Sequence, residues 1–276
     1  MLGPVDTAPL FRPLHAELLA VLGTLAPDDW LRPTVAGHWR VRDVAAHLLD
    51  GMLRKVAVYR DGHFAPLDAP IRSPQDLTRA VNALNAGGVA FAARLSPRQI
   101  VDLLRVAGEW AIALIEALPP HGPAIFAVSW AGEATSENWM DTGREYTEWW
   151  HHQMQIRDAA GRPLLLERRW LGPLLDIAVR ALPVAYQSLD APAGTTVTLV
   201  IDDGQLAWSL GRGADGAWDL RHGTADDATC TVRMTGDTAW RVFFNALSLD
   251  QARSRVAVTG DAALAEPLLA ARAVIV

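Results

Sequence analysis

Apolar residues recur along the first two thirds of the chain at intervals of three and four, which gathers them onto one face of a helix. Leu14, Leu18, Val21 and Leu25 form the first such seam, closed by Pro27. A second helix is expected from about Trp39 or Arg40 to Tyr59, with Val41, Ala45, Leu48, Met52 and Val56 turned inward. Asp61 to Ser73, with Pro66 and Pro70, reads as loop. Ser73-Pro74-Gln75-Asp76 and Ser96-Pro97 are helix starts, each a capping hydroxyl followed by a proline in the first turn. The helix after Ser73 carries Leu77, Val81, Leu84, Gly88, Phe91 and Leu95 in phase; the one after Ser96 carries Ile100, Leu103, Ala107, Trp110 and Leu114. Pro119-Pro120 stops the latter, and His121 to Met140 is a long loop of the kind that is usually functional or mobile. A fifth helix runs from Asp141 or Thr142 to Ala159, ending at Gly161, and a sixth from about Leu164 to Tyr186, with a kink expected near Pro173 and an end near Pro183.

Beyond about residue 195 the period shortens to two. Val197, Leu199 and Ile201 alternate with polar or β-branched neighbours, Asp202-Asp203-Gly204 makes a turn, and Leu206, Trp208 and Leu210 return as a hairpin partner. Further strands are expected at Ala217–Arg221, at Thr229–Met234 and around Val256 and Val258. Thr-Gly-Asp at 235–237 and again at 259–261 opens a helix each time. The change of texture at 188–194 sets a boundary. The sequence therefore reads as multidomain, α and then α+β: a helical bundle over 1–190 and a smaller α+β domain over 191–276.

Composition narrows the function. With 50% apolar and 20% charged residues the chain can bury a core. A formal charge of −6, with basic residues dispersed, argues against a nucleic-acid partner. No apolar run is long enough to span a membrane, and the first residues do not read as a secretion signal. The single cysteine, Cys230, excludes an internal disulfide and fits a reducing cytoplasm, so a cytoplasmic location is expected.

Candidate chemistry concentrates in the fifth helix. Glu145, Glu148, His152 and Gln155 are spaced 3, 4 and 3 apart, the spacing that elsewhere in this half holds leucine, valine or phenylalanine. Trp149, Ile156 and Ala159 border that stripe, which places it at the edge of the interior, where carboxylate and imidazole need partners. Glu148 and His152, one turn apart, can offer an oxygen and a nitrogen to one ion, and His47 on the second helix is the best-placed third donor. The same spacing also describes a solvated polar face with a helical Glu–His pair, and spacing alone does not choose between the two.

The stretch Trp39-x-Val41-Arg42-Asp43-Val44-x-x-His47-Leu48, together with Glu148-x-x-x-His152, resembles the mycothiol-dependent maleylpyruvate isomerase family of DinB-like bundles. Asn82-Ala-Leu-Asn85 is similar to another stretch common in that family. Val256-Ala-Val-Thr-Gly260-Asp261 and the closing Pro267-Leu-Leu-Ala-Ala-Arg-Ala-Val resemble its appended sterol-carrier-like C-terminal domain. The resemblance implies a DinB-like four-helix bundle with His47, Glu148 and His152 holding a divalent metal, zinc first and nickel, cobalt or iron as alternatives. It also implies a low-molecular-weight thiol cosubstrate and a small electrophilic, anionic substrate, with isomerisation and S-transfer both open. The rival reading is a non-catalytic metal or hydrophobic-ligand binding protein. Family members often carry an acid where this chain has Gln155, which leaves the ligand set intact and puts the substrate in question.

Other residues carry weaker expectations. Glu145 and Asp50 could orient an imidazole, and His151 could exchange roles with His152. Arg40, Arg42 and Arg157 could attract an anion. Trp130, Trp139, Trp149 and Trp150 read first as packing, and Cys230 as a buried small hydrophobe.

Overall fold

The computed structural model describes residues 2–67 and 69–275; residue 68, within the 61–73 loop, and the two terminal residues lie outside the described part. Apart from the chain ends, backbone contacts divide it into one compact unit of residues 6–125 and 137–165 and a second of 126–136 and 166–274. Among the described residues, no helix is long and apolar enough to cross a membrane.

The first unit is helical: α1 (Phe11–Gly23), α2 (Val41–Asp61), α3 (Pro74–Ala92), α4 (Pro97–Ala117) and α5 (Asn138–Ala159). The expected starts are made by the expected chemistry. Ser73 Oγ accepts from Asp76 N at 3.1 Å, and Ser96 and Gln99 cap each other reciprocally. Gly62, left-handed at φ 63°, closes α2. α2 packs against α3, α4 and α5, and α1 against α4 and α5, around Phe11, Leu14, Leu18, Val44, Leu49, Met52, Ile100, Leu104 and Ile112.

Two helices turn other faces inward than the spacing suggested. α4 buries Ile100, Leu104, Ala107, Gly108, Ala111 and Ile115, leaving Leu103 and Trp110 exposed. α3 fully buries only Ala92, and Phe91 is exposed. α5 is the opposite extreme: 17 of its 22 residues are buried, among them Asp141, Glu145, His151, His152, Gln153, Gln155 and Arg157. A polar helix this deeply packed must answer nearly every charge from a neighbouring helix.

In the second unit the single helix expected over 164–186 begins later and is broken. α6 (Arg168–Ala178) passes through a 3-10 turn at Val179–Ala181 into α7 (Leu182–Tyr186). Pro183 has no N–H to give to the Val179 carbonyl, and the chain tightens there, Leu182 N bonding Val179 O instead. The sheet runs β1 (Thr196–Ile201), β2 (Leu206–Arg212), β3 (Trp218–His222), β4 (Cys230–Met234) and β5 (Ala257–Gly260), in spatial order β3-β2-β1-β4-β5. β1 and β4 are parallel and the other pairs antiparallel, so the sheet is mixed. α8 (Gly236–Phe243), α9 (Leu249–Arg253) and α10 (Glu266–Ala270) complete the α+β unit. Trp208 Nε1 donates to Asp176 Oδ1 at 2.9 Å and Tyr186 Oη to Leu264 O at 2.5 Å, which ties α6 and α7 to this unit. Cys230 is fully buried on β4, and burial pushes its thiol pKa up.

Close approach of α1 and α4 depends on Gly108, where a Cβ would stand 2.2 Å from His15 Nε2, the atom that pairs with the Leu104 carbonyl at 3.1 Å. Gly108→Ala is therefore expected to lower unfolding free energy by about 1–3 kcal/mol in urea titration. Gly87→Ala, on α3 with nothing within 4 Å of its Cβ position, should be neutral or stabilising by up to about 1 kcal/mol.

Candidate metal centre

His47 comes from the second turn of α2; Glu148 and His152 sit one turn apart on α5. Their donor atoms all lie within 4.8 Å of one another. Glu148 Oε2 is 3.3 Å from His152 Nε2 and 4.0 Å from His47 Nε2, and the two imidazole rings meet edge to face at 4.5 Å. Both histidines are buried, and Glu148 keeps 28% of its side chain exposed, so the cluster has an open side. The Trp39 ring covers His47 at 5.0 Å and lies 6.4 Å from His152.

The hydrogen bonding around His152 decides what this cluster can hold. His152 Nδ1 lies 2.8 Å from Gln155 Oε1. An amide oxygen only accepts, so Nδ1 carries a proton and Nε2 is the nitrogen turned toward Glu148, the one that a cation would take. His47 Nδ1 is buried without a partner, and its Nε2 stands beyond hydrogen-bond distance of Glu148. Two imidazole nitrogens and a carboxylate oxygen thus converge on one point. That donor set fits a divalent cation, with His₂Glu ligation and room on the open side for a further ligand.

Charges nearby follow the same burial. Burial alone would raise the Glu148 carboxyl, but the approach of His152 and His47 outweighs it and holds the group well below the usual carboxylate range. One to two turns away, Asp141 Oδ2 accepts from Lys55 Nζ at 2.5 Å and from the Tyr59 hydroxyl, while Oδ1 accepts from Arg144 at 2.8 and 2.9 Å. Asp141 is buried, which opposes its charge, yet Arg144 and Lys55 keep it ionised far below the ordinary range. Arg144 also reaches Glu145 at 3.1 Å, and Trp149 Nε1 donates to the other Glu145 oxygen at 3.1 Å.

The structure thus brings together His47, Glu148 and His152. It gives the imidazole-orienting role to Gln155 and ties the two acids considered for that role elsewhere: Glu145 to Arg144 and Trp149, and Asp50 to Arg54 at 2.7 Å. His151 stacks on His152 at 3.9 Å but donates Nδ1–H to the Thr147 carbonyl at 2.7 Å, outside the donor cluster. Arg42 bonds the Ala93 carbonyl, and Arg157 bonds Glu17 and the Pro163 carbonyl. Trp149 and Trp150 are core residues, Trp149 edge-on to Phe11 at 5.0 Å. Sequence reasoning missed Lys55, Tyr59, Asp141 and Arg144. The only signal was a lysine and an aspartate on faces otherwise predicted to be buried.

Residues 11–157 match the family model described as the mycothiol maleylpyruvate isomerase N-terminal domain. Among solved structures, the chain is similar to the mycothiol-dependent maleylpyruvate isomerase at 12% identity, TM-score 0.55, over 92% of each chain. A histidine-to-alanine mutant of that protein matches at 11% identity, TM-score 0.54, over the same shares of each chain. A UbiJ-SCP2 ubiquinone synthesis protein matches 33% of this chain and 72% of its own at 20% identity, with a TM-score of 0.24, too weak a likeness to bear on the fold. No curated protein matches the chain.

In the metal-free protein, burial and then His152 lower the His47 pKa to about 4 and that of His151 to about 3, from 6.5. Between these values the unfolded chain binds more protons than the folded one. Stability is therefore fully present above about pH 6.5 and falls as pH drops toward 4, by up to about 1.4 kcal/mol per pH unit for each histidine. Urea titrations across that interval check this; a flat profile would contradict the burial of both rings.

Proposed function

The chain belongs to the mycothiol maleylpyruvate isomerase N-terminal domain family, matched over residues 11–157, and from that premise we propose a metal-dependent enzyme that activates a low-molecular-weight thiol. Its reaction is isomerisation or S-transfer on a small electrophilic substrate. His47, Glu148 and His152 are its metal ligands and zinc its metal, with nickel next in order. The observation that carries this reading is the convergence of two imidazole nitrogens and a carboxylate oxygen within 4.8 Å, with one side open.

A divalent cation held there favours the thiolate over the thiol near neutral pH. The chain's own residues prepare the place. Gln155 fixes the His152 tautomer and ring orientation. Trp39 covers His47 and limits water on that side. The partly exposed edge of Glu148 marks the direction from which ligands enter.

As part of the same proposal, residues 1–190 are the DinB-like metal-binding domain, α1, α2, α4 and α5 being its four-helix bundle, and residues 191–276 are the sterol-carrier-like domain. A cytoplasmic setting supplies the reduced thiol this reading needs. The groove formed by Val200, Asp202, Gln205, Arg233, Met234, Thr235 and Arg255 has five charged or polar side chains beside Val200 and Met234, which gives little support to a hydrophobic ligand there.

Protein purified without added metal is expected to contain about one ion per chain by elemental analysis. His152→Ala should lose it; full occupancy in that variant would refute the ligand assignment. Gln155→Leu, which keeps the ligands and removes the acceptor of the His152 Nδ1 proton, should weaken metal affinity about 10–100-fold in chelator competition. Metal-dependent turnover of a chromogenic electrophile with at least one small thiol is expected. Its absence across a thiol panel would favour a binding protein.

A further inference from the structure

One arginine beside the donor cluster takes no part in the chemistry just described. Arg54 lies two turns beyond His47 on the same face of α2, and its charge reaches that ring, disfavouring its protonation. The guanidinium is held from two directions. Nε donates to Asp50 Oδ2 at 2.7 Å, and Nη2 donates to Asn85 Oδ1 at 2.7 Å. α3 supplies Asn85 and lies so close to α2 that a Cβ on Gly88 would stand 2.3 Å from Asp50 Cγ. The Asn82-Ala-Leu-Asn85 motif thereby gains a physical role, as the support of a fixed arginine. Arg54 keeps 31% of its side chain exposed, and among the described residues nothing bonds its Nη1 edge.

An arginine clamped at two corners has already lost the rotamer freedom that a free surface arginine gives up on binding. Its surroundings add to the pull. Asp50, Asp141, Glu145 and Glu148 face Arg54, Lys55 and Arg144, an excess of one acid, so a divalent cation among them leaves the site net positive.

We propose that Arg54 is the anion anchor of this site, its open edge binding a carboxylate carried by the thiol or by the electrophile. The identity of the ligand rests on the thiol-enzyme reading; the anchor itself does not.

The test is calorimetric titration of cobalt-loaded protein with mercaptosuccinate, with mercaptoethanol and with succinate. Mercaptosuccinate is expected to bind wild-type protein at least about tenfold more tightly than mercaptoethanol. Arg54→Met should weaken mercaptosuccinate and succinate about tenfold or more, with mercaptoethanol affinity and cobalt stoichiometry unchanged. Arg54→Lys should restore only part of the loss, because an ammonium cannot serve Asp50, Asn85 and a ligand in one plane. Succinate binding alongside saturating mercaptoethanol assigns the anchor to the electrophile; competition between them assigns it to the thiol. Unchanged carboxylate affinity in Arg54→Met, or an equal loss of mercaptoethanol, overturns the proposal. If no thiol binds wild-type protein, the thiol-enzyme reading fails while succinate still decides the anchor. Should the single variant not fold with Asp50 unpaired, Asp50→Asn combined with Arg54→Met carries the same comparison.

Discussion

A helix buried on almost every side can carry charge only where each charged group meets a partner, and that requirement organises α5 and what packs on it. The Asp141 carboxylate is met by Lys55, Tyr59 and Arg144, Glu145 by Arg144 and Trp149, and the His152 Nδ1 proton by Gln155. What remains after these pairings is one oxygen facing two imidazole nitrogens at 3.3 and 4.0 Å. The three donors of this cluster form a group whose chemistry suits a cation.

Convergence of that kind needs two helices held in register over several turns. His47 and Lys55 are eight residues apart on α2, about 12 Å of rise, and Asp141 and Glu148 are seven apart on α5, about 10 Å. The buried Lys55–Asp141 pair and the His47–Glu148 contact are thus two rungs of one antiparallel helix pair. Shifting α2 by a residue along α5 would part both at once. A buried ion pair adds little net stability, since desolvation offsets most of its attraction, but any arrangement that leaves one partner alone costs several kcal/mol. Its contribution here is geometric: it sets where His47 meets α5.

How much of this is legible in the sequence depends on whether the partners are near in the chain. The caps at Ser73, Ser96 and Thr235 are bonds to residues three positions on, and each expected start is where a helix begins. Glu148 and His152 share a helix face, so their pairing is written as a spacing of four. On α4 the same rule left two seams open. Leu103 and Trp110 satisfy the spacing as well as Leu104 and Ala111 do, and the small residues Ala107, Gly108 and Ala111 win because they admit neighbouring helices closely. The break between α6 and α7 was missed because Pro183 was read as the end of a helix and not as an interruption within a longer run. Lys55–Asp141 and Arg54–Asn85 join residues 86 and 31 positions apart. Nothing local marks such pairs until the helices have packed.

Gln155 then bears on what the site can accept. A carboxylate on His152 Nδ1 would orient the ring equally well, but it would also place a negative charge in hydrogen-bond contact with the ligand ring and offset part of a bound cation's field. The neutral amide orients without neutralising. Arg54, brought up by α3 from another direction, acts in the same sense, since Asp50 balances its charge while its outer edge stays exposed. Two residues on different helices, neither of them a ligand, therefore add no net negative charge around the His47–Glu148–His152 cluster. On the proposed reading, with a divalent cation held there, an anionic ligand is drawn to the site and a neutral one is not, so Gln155 and Arg54 share with the donors in selecting the ligand.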